Sequence, residues 1–253
     1  MRHFALIGQS LRHSFSKRLF DEQQFPDADY RLWEMASVEG LRGAVARDRI
    51  EGFNVTVPFK EAVMAQLDGL DSVAHEVGAV NCVAVRDGLL VGYNTDAQAF
   101  DATLQRVAAL PGRALVLGTG GASCAVCHVL RKRGMECVRV SRHPERCKGS
   151  IGYDEARRWP SEVLLVNATP VGTLEERSPW PWPEWVTPAT VVYDLVYNPS
   201  PSLLLRQAAA RGARTLDGLA MLRLQAELSW RHWQLVPECC LLRVEKLYRY
   251  RYN

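Results

Sequence analysis

Residues 114–123 read Ala114-Leu115-Val116-Leu117-Gly118-Thr119-Gly120-Gly121-Ala122-Ser123. A short apolar run of this kind, bounded by glycine, reads as a buried strand. The small residues after it open a helical stretch, so the segment predicts strand, tight turn and helix. Glycine tolerates positive φ and lets the backbone come close to a ligand. The helix that follows offers unpaired N–H groups and the positive end of its dipole. Together these suit a dinucleotide pyrophosphate held at the turn, with Gly118, Thr119, Gly120, Gly121 and Ala122 as its cradle. The pattern is G-x-G-G-A-S, with Ser123 where a third glycine commonly stands. The plainer reading, a tight βα turn with no ligand, stays open from this motif alone.

The next strand bears on the cofactor. A domain that binds NAD usually has an acidic residue about 20 positions on, which holds the ribose 2′-hydroxyl. Here the strand Val138–Val140 leads into Ser141-Arg142-His143 and then Arg146. Two arginines and no acid at that edge suit a 2′-phosphate, because guanidinium groups fork onto phosphate oxygens. The expected cofactor is therefore NADP (NADPH), with two surface arginines as the bland alternative.

Outward from this unit the same rhythm continues. Ala114–Leu117, Val138–Val140, Val163–Val166 and Val191–Asp194 form one strand series. Upstream, Phe4–Ile7, Tyr30–Met35 and Phe53–Thr56 read as strands alternating with helices over Ser16–Gln24, Val38–Asp48 and Pro58–Gln66. Val80–Val85 and Leu90–Gly92, joined by Asp87-Gly88, read as a hairpin. Thr95–Ala109 reads as a connecting helix, ended by Pro111-Gly112, and Leu219–Trp233 and Pro237–Tyr248 as closing helices. Alternating strands and helices predict an α/β fold with mostly parallel sheet. The expected architecture has two domains flanking a cleft: an N-terminal α/β domain from residues 1–96 plus 219–253, and a Rossmann-like domain from 97–218. The Pro- and Trp-rich stretch Pro179–Pro188 reads as an irregular loop whose tryptophans pack over an edge.

Composition narrows the class. The chain has 253 residues, 47% hydrophobic and 23% charged, with a net charge of +3. That is ordinary globular usage. The small charge argues against nucleic acid as partner, and the basic, tyrosine-rich Arg243–Arg251 reads as a helix end. No apolar run is long enough for a membrane span. The expectation is a cytoplasmic protein, monomer or homodimer, acting on a small molecule. The 7 cysteines lack a disulfide framework. Cys124 and Cys127 form a C-x-x-C, but without a second ligand pair they read as helix packing, as do Cys239-Cys240. No metal site is expected. His13, His75, His128 and His232 read as structural or surface groups.

A candidate reacting pair stands in the N-terminal half. In Phe53-Asn54-Val55-Thr56-Val57-Pro58-Phe59-Lys60, Pro58 reads as the first residue of a helix and Lys60 as part of its first turn. A cation there opposes the helix dipole, and the same field with some burial would lower its pKa toward an acid/base role. Gly92-Tyr93-Asn94-Thr95-Asp96 closes the hairpin and opens the connector. Thr95 or Asp96 reads most simply as an N-cap; set against Lys60, Asp96 would orient its ammonium.

These segments, in this order, resemble the shikimate dehydrogenase family over nearly the whole chain. Gly8-Gln-Ser-Leu-Arg-His13-Ser14-Phe-Ser16, Asn54-Val-Thr-Val-Pro-Phe-Lys60, Gly78-Ala-Val-Asn81 and Gly92-Tyr-Asn-Thr-Asp96 are similar to its N-terminal motifs. Asn167-Ala-Thr-Pro-Val-Gly172, Asp194-Leu-Val-Tyr197-Asn-Pro199 and Gly218-Leu-Ala-Met221-Leu-Arg-Leu-Gln225 complete the set. The resemblance implies reversible, NADPH-dependent reduction of 3-dehydroshikimate to shikimate. It gives Lys60 and Asp96 catalytic roles. Ser14 and Ser16, with Tyr197 nearby, would meet the substrate carboxylate, and Thr56, Asn81, Asp96 and Gln225 the ring hydroxyls. Gly118 to Ala122 would hold the pyrophosphate, and Ser141, Arg142 and Arg146 the adenosine end. Leu195, Gly218 and Met221 would border the nicotinamide. Departures from the family pattern fall at Ser10, Lys17, Leu19-Phe20 and Ser141. A relative also acting on quinate, with NAD, and a non-catalytic NADP-binding sensor are the competing readings.

Overall fold

A computed structural model of the chain describes residues 1–12 and 14–236. The second closing helix, the basic tail, Cys239-Cys240 and His13 lie outside the described residues. The chain forms two compact units, Met1–Thr95 with Arg223 onward, and Asp96–Leu222.

The first unit is built on β1 (Arg2–Gly8), α1 (Phe15–Glu22), β2 (Ala28–Glu34), α2 (Leu41–Arg47), β3 (Ile50–Val55), β4 (Gly69–Leu70), α3 (Ser72–Val77), β5 (Cys82–Arg86) and β6 (Leu89–Tyr93). Its sheet runs in the order β2-β1-β3-β5-β6-β4. The pairs of β1 with β2 and β3 are parallel, while β3–β5 and β5–β6 are antiparallel. The sheet is thus mixed, where strand–helix alternation alone predicts mostly parallel. Asp87 and Gly88 make the hairpin turn with φ of 50° and 79°, the pair of positive values that a type I′ turn demands.

Side chains alternate across each strand. Ala5, Ile7, Phe53, Val55 and Val83 face one core with Leu41, Val45 and Val63. On the opposite face Phe4 stacks on Trp233 with ring centroids 4.9 Å apart, and Phe20 meets Phe4 and Tyr30. Gly52 lies under that indole: a Cβ there would sit 2.3 Å from Trp233 Cδ1 and Nε1.

The stretch Pro58–Gln66 is not a helix throughout. The Val57–Pro58 bond is cis, and the turn closes with the Phe59 N–H donating to the Thr56 carbonyl (2.9 Å). Only Ala62–Gln66 is helical, as a short 3-10 turn preceded by Glu61, whose side chain makes no cap. Lys60 therefore precedes the helix, and the helix-dipole argument made for it does not hold. α4 (Thr95–Leu104) connects the units and stops short of Ala109.

The second unit contains β7 (Arg113–Leu117), α5 (Gly121–Lys132), β8 (Glu136–Val140), β9 (Ser150–Ile151), α6 (Tyr153–Ala156), β10 (Leu164–Asn167), β11 (Val191–Asp194), α7 (Leu203–Ala210) and β12 (Arg214–Leu216), followed by α8 (Leu219–His232). The strand order β12-β11-β10-β7-β8-β9 is parallel throughout. Counted from β7 this is the doubly wound order of dinucleotide-binding domains, with its switch point between β7 and β10. The tryptophan loop packs into the core beside it. Trp180 is buried against Trp182 and Trp185, and Trp185 Nε1 donates to the Trp159 carbonyl (3.1 Å).

Candidate functional site

In the first unit the sequence candidates gather at one end of the sheet. Ile7 pairs with Val55 in parallel, Asn54 with Cys82 and Cys82 with Tyr93 in antiparallel. The register brings the exit of β1, the exit of β3, the entry of β5 and the exit of β6 to the same edge. Thr56, Asn81 and Thr95 emerge there side by side. The Thr56 N–H donates to the Ile7 carbonyl (2.9 Å) and the Val80 N–H to the Lys60 carbonyl (2.7 Å). The second bond fastens the backbone of half-buried Lys60 next to Asn81.

Asn81 is the centre of this edge. It is 2% exposed, so its amide must be satisfied inside the protein. Its Oδ1 accepts from the Thr95 N–H (2.7 Å) and its Nδ2 donates to Thr95 Oγ1 (2.9 Å). The same Nδ2 lies 3.5 Å from Gln225 Oε1 on α8. One side chain thereby fixes the first residue of α4 and reaches Gln225. Neither Thr95 nor Asp96 is an N-cap, because α4 already begins at Thr95. Asp96 is buried in the first helical turn.

A deeper layer supports this edge, and sequence reading passed it over. Tyr30 donates its hydroxyl to Asn54 Oδ1 (2.8 Å). Asn54 Nδ2 donates to Ser229 Oγ (2.8 Å) and to the Asn81 carbonyl (3.1 Å). Ser229 Oγ in turn donates to the Gln225 carbonyl (2.9 Å). Burial holds the Tyr30 phenol well above its ordinary pKa, so it remains the donor. The only sequence signal for this layer is Asn54, a polar residue inside an apolar strand.

Ser14 caps α1: its Oγ accepts from the Ser16 N–H (3.3 Å). A hydroxyl that accepts in a cap keeps its own O–H to donate. The departures nearby have local explanations. Lys17 pairs with Asp21 at 2.8 Å, one turn on, and Leu19 and Phe20 are buried on the aromatic face. No contact among the described residues explains Ser10.

The second unit carries the cofactor candidates. Gly118 has φ +108°, and a Cβ there would sit 3.0–3.3 Å from Thr169 and Ala168 in the loop after β10. Gly120 differs: its φ is −87°, and a Cβ would meet nothing within 4 Å. Neither backbone nor packing requires glycine at 120, so its effect is to keep space open over the start of α5. No side chain caps that helix, and its first N–H groups face this space without intrahelical partners. Ser123 takes a glycine's place by turning its hydroxyl back onto the Gly120 carbonyl (2.8 Å). An open, uncapped N-terminus at the switch point fits a dinucleotide pyrophosphate.

Ser141 follows β8 and accepts from the His143 N–H (3.0 Å). Arg142 and Arg146 are exposed. The edge is not free of acid, however: Glu145 shares the turn, 3.7 Å from Arg146 Nε. It stands beyond the strand end and is paired, unlike the strand-terminal acid of an NAD domain. Gly218 is held against Leu195, where a Cβ would fall 2.1 Å from its carbonyl oxygen, and the buried Met221 follows one turn later. Half-buried Tyr197 belongs to this unit too.

Two further motifs frame these loops. Asn167 Nδ2 donates to Asp194 Oδ1 (2.8 Å), and Asp194 accepts from Ser202 and from the Val196 N–H (3.0 Å). Burial pushes the Asp194 carboxyl upward while these donors pull it back. Among the described residues no group of three His, Cys, Asp or Glu side chains is set to hold a metal ion, and no helix is long and apolar enough to cross a membrane.

A doubly wound sheet with an open glycine turn, joined to an α/β unit with clustered amide and hydroxyl groups, defines a nicotinamide-dependent oxidoreductase with a separate substrate domain. Residues 6–83 match the shikimate dehydrogenase substrate binding domain. The chain is 36% identical to shikimate dehydrogenase (NADP(+)) of Caldanaerobacter subterraneus, over 91% of this chain and 90% of that one. It is 38% identical to an enzyme of that name from Thermus thermophilus, over 94% and 95%. Among solved structures, shikimate dehydrogenase 1 of Peptoclostridium difficile superposes with a TM-score of 0.85 at 31% identity, covering 98% and 97%. Shikimate 5-dehydrogenase of Thermus thermophilus in complex with NADP(H) and shikimate superposes with a TM-score of 0.80 at 36% identity, covering 93% and 94%. This chain belongs to the shikimate dehydrogenase family.

Proposed function

We propose that this chain interconverts 3-dehydroshikimate and shikimate with NADPH and NADP, a step toward chorismate and the aromatic amino acids. The observation that carries the reading is the Asn81 network, which binds the start of α4, next to Asp96, and Gln225 into one buried polar edge. A small polyhydroxy acid needs many short, fixed donors and acceptors, and this edge supplies them.

In this reading residues 1–96 with 219–253 bind substrate, and residues 97–218 bind NADP. Ser14 and Ser16 donate to the carboxylate, with Tyr197 beside them. Thr56, Asn81 and Gln225 hold the ring hydroxyls. Gly118 to Ala122 would hold the NADP pyrophosphate, Ser141, Arg142 and Arg146 the adenosine end, and Leu195, Gly218 and Met221 would border the nicotinamide, whose chemistry is hydride transfer. Lys60 gives a proton from its ammonium to the carbonyl oxygen as it becomes hydroxyl, and in the reverse direction takes that proton back. Asp96 orients the ammonium. The protein acts in the cytoplasm, as monomer or homodimer, without nucleic acid or membrane partners.

The test follows nicotinamide absorbance while the protein meets shikimate or quinate with NADP or NAD. Reduction of NADP by shikimate above the other pairs supports the reading. Equal or better turnover of quinate with NAD replaces it with the quinate reading, and NADP binding without turnover of any pair with the sensor reading. Lys60→Ala is expected to bind NADP normally and lose at least about 10²-fold in kcat, the usual scale of a general acid/base.

A further inference from the structure

Two thiols lie together in the second unit, apart from the residues assigned to substrate and cofactor. Cys127 is on α5 and Cys137 on β8, and their Sγ atoms are 3.3 Å apart. Both are unbridged. The placement follows from the two periodicities. Cys124 and Cys127 are three residues apart on one helix face. Cys137 and Arg139 are two apart, on one side of the strand. The strand side that carries Cys137 also carries Arg139, whose Nη1 lies 3.9 Å from Cys124 Sγ. Arg139 Nε is buried without a hydrogen-bond partner among the described residues. A guanidinium with an unspent N–H beside thiols favours the anionic form of sulfur.

The two cysteines are not equivalent. Cys137 is partly exposed, whereas Cys127 is 2% exposed. A small oxidant therefore meets Cys137 first. We propose that Cys137 and Cys127 are a peroxide-reactive dithiol: Cys137 is the site of oxidation, and Cys127 resolves it to a disulfide joining β8 to α5.

The chemistry balances with a hydroperoxide as oxidant. The Cys137 thiolate attacks the terminal peroxide oxygen, the O–O bond breaks, and the alcohol or water leaves, giving a sulfenic acid. The Cys127 sulfur then attacks that sulfur, the S–O bond breaks, and water leaves as the S–S bond forms. Two thiols and one hydroperoxide become one disulfide, one alcohol (or water) and one water. The sulfurs have to close from 3.3 Å to about 2.05 Å, a movement of the order of a side-chain rotation. The ionisation of the pair runs the same way: the sulfur–sulfur contact with Cys127, with Arg131 and Arg139 nearby, holds the Cys137 thiol below its ordinary value, while Cys127 is pushed up.

The test treats the full chain with hydrogen peroxide, blocks remaining thiols with an alkylating agent, and maps peptides by mass spectrometry without reductant. The expected product is a Cys127–Cys137 linked peptide pair, lighter by two hydrogens and restored by dithiothreitol. Cys137→Ser abolishes it. Cys127→Ser leaves Cys137 as a sulfenic acid that dimedone captures, and Arg139→Gln slows capture several-fold. Full alkylation of Cys137 after peroxide, or bridges formed mainly through Cys124 or Cys147, overturns the proposal. The readout needs neither substrate nor cofactor, so it stands or falls separately from the enzymatic reading.

Discussion

Replacing Gly52 by alanine sets a methyl group against the indole of Trp233, in a position where the ring cannot move freely. The added Cβ would lie 2.3 Å from two ring atoms and 2.9 Å from a third, more than 1 Å inside ordinary contact. Trp233 is 1% exposed. It stacks on Phe4, and its Nε1 donates to the Val83 carbonyl at 2.9 Å. Yielding to the methyl means breaking that bond or opening the stack. Overpacking of a core costs about 1–3 kcal/mol, and an unpaired buried N–H about 1–3 kcal/mol more. A loss of about 2–6 kcal/mol corresponds to a fall in Tm of roughly 4–24 °C for a chain of this size. The effect reaches the site because Gln225 and Ser229 share one face of α8 at four-residue spacing, and Trp233, just past the helix end, donates its backbone N–H to the Ser229 carbonyl (3.0 Å). Displacing the indole shifts Gln225 away from Asn81. We expect kcat/KM for shikimate to fall by roughly one to two orders of magnitude, with NADP affinity unchanged. Thermal denaturation followed by circular dichroism and initial-rate kinetics measure both. Trp233→Leu supplies the control: in a double-mutant cycle the clash vanishes, so the double variant is less destabilised than the sum by about 1–3 kcal/mol. A Gly52→Ala protein within about 1 °C of the parent, well inside the shift expected for that loss, or a strictly additive cycle, refutes the reasoning.

Three other outcomes follow from the same structure. Asn54→Leu takes the acceptor from the buried Tyr30 hydroxyl, while the Asn81 carbonyl keeps the Val55 N–H and Ser229 keeps the Gln225 carbonyl; at about 1–3 kcal/mol for the orphaned group, urea unfolding is expected to show a loss of at least about 1 kcal/mol, and a near-neutral value would remove the network from the site's support. Gly218→Ala drives a methyl to 2.1 Å from the Leu195 carbonyl oxygen, a backbone atom that cannot rotate away; KM for NADP, measured by initial rates, should rise at least about tenfold, equivalent to about 1.4 kcal/mol, while Tm identifies any general unfolding. His232 stacks on Tyr93, and burial holds its imidazole below the ordinary value, with Asp71 opposing and Arg86 adding to the shift. A depressed folded-state pKa gives stability that is complete above about 6.5 and is lost as pH falls through the folded value. Urea midpoints should therefore decline as pH is lowered below that point, with a slope under the one-proton limit of about 1.4 kcal/mol per pH unit. His232→Gln should flatten that decline, and an unchanged slope would assign it to other groups.

The parts of the fold legible in the sequence were those with strong local grammar. The run Ala114–Leu117 into glycine announced β7 and α5, and Asp87-Gly88 announced the hairpin. Short elements escaped. α3 has Asp71 as its cap, accepting from the Ala74 N–H, and a left-handed Gly78 at its end; both signals were present but span only six helical residues. α7 likewise had Ser202 at its cap and Gly212 beyond its end. β4, β9 and β12 have two or three residues each, too few for any periodicity. Pro58 misled because proline followed by helix formers is the usual sign of a helix start, whereas here a turn intervenes and puts Lys60 ahead of the helix. Ser229 could not be read as functional, since serine in a helix ordinarily faces water. Its role exists only once α8 lies over β3.

That dependence explains how the chain departs from the family pattern beside Ser14 and Ser16 and still builds the polar edge. Leu19 and Phe20, two of those departures, are both buried here. Phe20 stacks on Tyr30 at 4.9 Å and touches Phe4, Phe25 and Trp230. The aromatic layer fixes the Tyr30 ring, and with it the hydroxyl that Asn54 accepts. Asn54 then has its amide N–H groups directed to Ser229 and the Asn81 carbonyl, and Asn81 in turn holds Thr95. A hydrogen bond adds only about 1 kcal/mol of net stability, too little to position a helix unaided, whereas burying an aromatic side chain contributes about 2–3 kcal/mol. The apolar face of the sheet therefore sets the geometry, and the polar edge inherits it. Residues 19 and 20 thus bear on the site through packing, while Asn54, Asn81, Thr95, Gln225 and Ser229 hold the polar edge through their hydrogen bonds.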